Sequence, residues 1–115
     1  MVDTDKLIKK ILAFRDARDW KQFHNPKDLA ISLVLEAGEV MEHFQWKSKE
    51  EVLEYTKTHK DEIGEELIDV LVYLLTLTDA IGVDIEKAFD KKMKKNSLKY
   101  PIHKAKGKHT KYNKL

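Results

Sequence analysis

The sequence predicts an all-α fold: a helical bundle of about four to five helices, completed by oligomerisation. Three observations predict it. Only four Gly and two Pro punctuate 115 residues, and no segment sustains the strict alternation of a half-buried strand. Apolar residues instead recur at three- and four-residue spacing along most of the chain.

The first helix runs from about Thr4, read as its N-cap, and fades near Asp19, with Leu7, Ile8, Ile11, Leu12 and Phe14 on one face. The link WKQFHNP breaks that pattern, and Asn25 followed by Pro26 reads as an N-cap with proline at the first helical position. The second helix extends from there to about Trp46, and its apolar residues, from Leu29 to Phe44, point in nearly every direction around the axis. Such a helix requires cover on most sides. Ser48 and Glu51 form a capping box that opens a short, peripheral third helix through Val52, Leu53 and Tyr55. A fourth helix, Lys60 to Ile81, is as apolar around its girth as the second, and Gly82 supplies its stop. Asp84 caps a fifth, which ends near Asn96 before the Tyr100-Pro101 break. Residues 1–96 therefore read as the helical domain and 97–115 as a basic, irregular tail. Two central helices of such girth in so short a chain predict a face buried against another subunit, in a dimer or tetramer.

With no cysteine, the chain has neither disulfides nor zinc-thiolate chemistry. A composition of 42% hydrophobic and 37% charged residues excludes a disordered chain and a membrane protein. The N-terminus MVDTDKLIKK lacks a basic start followed by an apolar stretch, so the expected location is cytoplasmic. Net charge is only +2 but unevenly spread: residues 28–90 hold 16 acids against five lysines, while residues 91–115 hold ten lysines and no acid. The tail alone reads as a solvated segment, or as the contact surface of a non-enzymatic oligomerisation or nucleic-acid-binding module. Read with the acidic body, it suits a polyanion handled jointly, with metal held by acids and phosphate by lysines.

The acids sit where a core helix should not carry them. Glu36 and Glu39, three residues apart inside LVLEAGEVMEHF, share one side of the second helix, and Glu66 and Asp69 repeat that spacing inside EELIDVLVYL, with Tyr73 one turn further. Burying an ionised carboxylate costs several kcal/mol unless it is paired or bound to a metal, and neither stripe offers a Lys or Arg. Four such oxygen donors suit Mg²⁺ or Mn²⁺. A di-iron site would require Glu-x-x-His, a spacing that occurs nowhere here. His43, one turn beyond Glu39, is placed to orient a carboxylate through a hydrogen bond.

LEAGEVMEHFQW followed by EELIDVLVYL resembles the all-α nucleoside triphosphate pyrophosphohydrolases of the MazG type. RDWKQFHNP, KMKKN and the YP that follows are most similar to the dCTP pyrophosphatase branch. Two departures stand out: Leu35 replaces an acid found in many MazG-type sequences, and Ile11 replaces a histidine that animal members carry near the base pocket. The resemblance implies hydrolysis of a nucleoside triphosphate to monophosphate and pyrophosphate, a house-cleaning activity directed at a pyrimidine deoxynucleotide such as dCTP or a modified relative. It further implies Mg²⁺, with Mn²⁺ as substitute, on Glu36, Glu39, Glu66 and Asp69, with Glu39 taking the proton of the attacking water. Trp20, His24, Trp46 and Tyr73 fall at positions that surround base and sugar in similar proteins, and Lys92, Asn96 and Tyr100 at positions suited to phosphate oxygens. Neither membrane nor nucleic acid is an expected partner of such an enzyme.

Overall fold

A computed structural model describes residues 1–115 and contains only helices and turns. In order these are α1 (Thr4–Ala17), a 3₁₀ turn (Lys21–Phe23), α2 (Pro26–Glu42), α3 (Lys49–Thr58), α4 (Lys60–Ala80), α5 (Ile85–Lys99), α6 (Ile102–Ala105) and a second 3₁₀ turn (Tyr112–Lys114). The chain divides into two compact units, Met1–Gly82 and Val83–Leu115.

Helices α1, α2 and α3 of the first unit start where a side chain satisfies free N–H groups, whereas α4 follows His59 with no side-chain cap. Asp3, not Thr4, caps α1, its Oδ1 accepting from the amides of Asp5 and Lys6 at 3.1 and 3.3 Å. A carboxylate at that point also faces the positive end of the helix dipole, an advantage the threonine hydroxyl lacks. Asn25 caps α2 by accepting from Asp28 N at 3.0 Å, with Pro26 at the first helical position. Ser48 and Glu51 close the capping box of α3. Gly82, at φ 75°, turns the chain out of α4, a left-handed conformation that glycine adopts without steric cost.

The sequence carries α2 on to about Trp46, but the helix stops at Glu42. The bonds from His43 N to Val40 O and from Phe44 N to Met41 O tighten the chain into a turn, because α3 must begin only a few residues later. Trp46 sits in that turn at φ 68°.

Packing centres on α2 against α4, with α1 and α3 also resting on α4. Leu29 of α2 and Ile63 and Leu75 of α4 are the buried apolar side chains, joined by Thr76, whose hydroxyl donates to Val72 O at 2.6 Å. Around this small core part of the apolar girth of both helices is open: Val34 is 69% exposed, Leu35 65% and Ile68 56%. A single chain therefore does not supply the cover that the two central helices require.

In the second unit Asp84 caps α5 by accepting from Lys87 N at 3.1 Å. The helix continues past Asn96 to Lys99. The tail expected to be irregular contains α6 and the second 3₁₀ turn, and Tyr112 packs edge-on against Tyr100 with ring centroids 6.0 Å apart. The Tyr100-Pro101 break falls where the sequence predicts it, between α5 and α6, with Pro101 in extended conformation just before Ile102. No helix in the chain is long and apolar enough to cross a membrane.

Candidate active site

The first unit contains a cavity of about 470 Å³ between α1, α2 and α4, of a size that suits a small-molecule ligand. One part of its wall is aromatic. Phe14 of α1 and Trp20, just past its end, meet edge to face with centroids 5.8 Å apart. Arg18 holds this corner together, its guanidinium 3.5 Å above the Phe14 ring while Nη1 donates to Phe14 O at 2.9 Å. His24 follows the 3₁₀ turn and brings to the wall a ring whose Nδ1 is buried without a hydrogen-bond partner, so the imidazole retains capacity for a ligand. Tyr73 of α4 lies on the same wall.

The other part is acidic, formed by Glu36 of α2 and Asp69 of α4. Burial, a hydrogen bond from Glu36 to Glu39, and the charges of Glu39, Asp69 and Glu66 all hold the Glu36 carboxyl above its ordinary value of 4.5. Glu39, Glu66 and Asp69 therefore all act on Glu36, and none of the four pairs with a lysine or arginine, since the ion pairs of the chain are Arg15–Asp16, His43–Glu66 and Lys57–Glu54. Glu36 and Glu66 are half-buried, whereas Glu39 and Asp69 are exposed.

A larger, shallower cleft of about 700 Å³ beside Ile63 and Leu67 has no aromatic platform and none of the four carboxylates. The smaller cavity is the candidate site.

No three Asp, Glu or His side chains converge closely enough to form a closed coordination shell. The donor set nevertheless fits a hard divalent cation: all four groups are carboxylates, and three of them raise the Glu36 carboxyl by their charge with no Lys or Arg beside them to offset it. A cation would offset the charges that raise the Glu36 carboxyl.

Five residues singled out in the sequence, Trp20, His24, Glu36, Asp69 and Tyr73, line the one cavity. Glu39 and Glu66 join them through the charge coupling to Glu36. Trp46 does not line the cavity; it is 91% exposed in its left-handed turn. Lys92 and Asn96 lie one turn apart on α5 of the second unit, with Tyr100 at its C-cap, where its amide donates to Asn96 O at 2.9 Å. His43, placed by the sequence to orient a carboxylate, meets Glu66, because it is the first residue beyond α2 and its ring reaches across to α4. The sequence did not mark Phe14, Arg15, Val72 or Thr76 as wall residues. Arg15 gave no signal, being one of many charged residues on α1, although its side chain is 12% exposed and paired with Asp16. Ile11 also lines the cavity.

An all-α unit with an aromatic corner facing paired helical carboxylates defines the class, and comparison with known proteins places the chain within it. The family model "MazG-like" matches residues 31–115, and the chain belongs to that family. It is 42% identical over 104 residues to dCTP pyrophosphatase 1 of Rattus norvegicus and 40% identical over 104 residues to that of Homo sapiens. Each match takes in 89% of this chain, which spans 61% of the length of those relatives. The crystal structure of a pyrophosphatase from Archaeoglobus fulgidus is similar with a TM-score of 0.80 and 42% identity, over 84% of this chain and 91% of the other.

Proposed function

We propose that this chain is a divalent-metal-dependent nucleoside triphosphate pyrophosphohydrolase that cleaves between the α and β phosphates and prefers a pyrimidine deoxynucleotide such as dCTP or a modified relative. The observation that carries this reading is one cavity walled by Phe14, Trp20 and His24 on one part and by Glu36 and Asp69 on another. The family and the names of its relatives agree with that chemistry.

In this reading Trp20 stacks on the base, a contact worth roughly 1–3 kcal/mol per aromatic platform. The free Nδ1 of His24 meets a polar edge of the base or a sugar hydroxyl. Ile11 offers only an apolar contact, so no ring nitrogen reads the base from α1. Glu36, Glu39, Glu66 and Asp69 hold Mg²⁺, or Mn²⁺ in its place, which when bound supplies charge neutralisation for the triphosphate and a lowered pKa for water. Glu39, exposed and hydrogen-bonded to Glu36, accepts the proton of the attacking water. On α5, Lys92 supplies a cation and Asn96 and Tyr100 donors of the kind that phosphate oxygens accept. Trp46 remains a candidate base contact. Residues 1–96 serve as the hydrolase domain and 97–115 as its basic tail, in a cytoplasmic protein.

The open apolar girth of α2 and α4 points to a dimer or tetramer. Light scattering should give a mass that is a multiple of 13.5 kDa, and a stable monomer would refute that assembly.

A panel of nucleoside triphosphates incubated with Mg²⁺, resolved by chromatography and phosphorus NMR, tests the activity. Monophosphate and pyrophosphate from dCTP are the expected products. Stepwise release of diphosphate and orthophosphate would refute cleavage at the α–β bond.

A further inference from the structure

Behind Glu66 lies a pair of side chains that the proposed chemistry does not use. His43, 12% exposed, contacts Glu66 Oε2 through Nε2, and its Nδ1 lies 2.6 Å from the hydroxyl of Tyr55 on α3. A carboxylate only accepts hydrogen bonds, so the nitrogen facing it must carry the hydrogen; in the neutral ring Nδ1 is then the acceptor, and the Tyr55 hydroxyl donates to it. One tautomer satisfies both partners.

Tyr55 is itself held on both sides. Its ring stacks on His59 with centroids 3.9 Å apart and 7° between planes, and Lys47 Nζ lies 4.3 Å from its centroid. The hydroxyl is therefore presented by a clamped ring, not by a freely turning side chain. A polar group that fixes the ring of a histidine behind a carboxylate also fixes which oxygen of that carboxylate remains free.

We infer that Tyr55 and His43 form a positioning relay that anchors Oε2 of Glu66 and leaves Oε1 to the divalent cation. The inference rests on the proposal that Glu66 helps to hold that cation. Neither Tyr55 nor His43 lines the cavity, so each acts through Glu66.

Mn²⁺ binding to the full chain, followed by the paramagnetic resonance signal of the free ion, reads the relay without turnover. Tyr55→Phe keeps the clamped ring and removes only the hydroxyl; it should weaken Mn²⁺ binding about 10-fold or more, within the 10- to 100-fold range for partners behind a metal ligand. Its metal-free helical circular dichroism should match the parent, with a melting temperature lowered only by the few degrees that one hydrogen bond contributes. His43→Leu should weaken binding at least as much, and His43→Gln, which keeps an N–H donor, should recover part of the loss. If the parent binds Mn²⁺ and Tyr55→Phe binds it equally well, the relay is overturned while the cation site stands. If the parent fails to bind Mn²⁺, both fall. A Tyr55→Phe protein that has lost helical circular dichroism at the assay temperature would assign the loss to folding and overturn the relay.

Discussion

Replacing Trp46 with glycine separates what this residue does for the fold from what it does for a ligand. At φ 68° the backbone is left-handed, a conformation that costs an L-residue roughly 1–2 kcal/mol. The side chain is 91% exposed, so no burial within the chain offsets that cost. Glycine removes the strain but gives back about 0.5–1 kcal/mol through a more flexible unfolded chain. The net expectation is a gain of up to about 1.5 kcal/mol, a rise in melting temperature of up to roughly 6 °C for a domain of this size. If the indole stacks on a bound base, the same change forfeits roughly 1–3 kcal/mol of binding and raises KM for dCTP by about 5- to 150-fold. Differential scanning calorimetry of the free protein and steady-state kinetics on the same sample give both numbers. A variant that melts lower and retains its KM would refute the reasoning, because the indole would then be packed against protein and not against substrate.

Three further outcomes follow from the same geometry. Glu39→Gln and Asp69→Asn, each removing one charge from the cluster at almost constant volume, should abolish turnover and leave the helical circular dichroism unchanged; full activity in either would exclude that carboxylate from the site. Because the folded Glu36 carboxyl is raised above its ordinary 4.5, the folded chain binds more protons than the unfolded one above that pH. Glu36 thus favours the fold fully below pH 4.5, and this support is lost as pH rises through the raised value; urea titrations of metal-free protein should show it, and Glu36→Gln should flatten the trend. Leu29→Ala, at the most buried large side chain of the chain, should cost about 2–5 kcal/mol by the same urea assay, whereas Val34→Ala, 69% exposed, should cost far less unless an assembled neighbour covers it.

The sequence alone determined the local elements and marked the carboxylates of the candidate site. Capping signals at Asn25, Ser48 and Asp84, the proline at position 26 and the glycine at 82 act within a few residues, so they are legible without knowing what lies nearby in space. The carboxylates were legible for a related reason: a spacing of three within one helix fixes a shared face, and four acids in apolar runs call for a compensating charge. Tertiary structure decided what depends on approach between elements. It ended α2 at Glu42, since the chain must turn to start α3, and so removed Trp46 from the helix. It turned His43 toward Glu66 of α4 and placed Tyr55 behind it, a meeting between residues with no periodic relation in sequence. It also brought Phe14 and Ile11 of α1 into one wall with Glu36 and Asp69, because a cavity is a property of how helices diverge and no single helix encodes it.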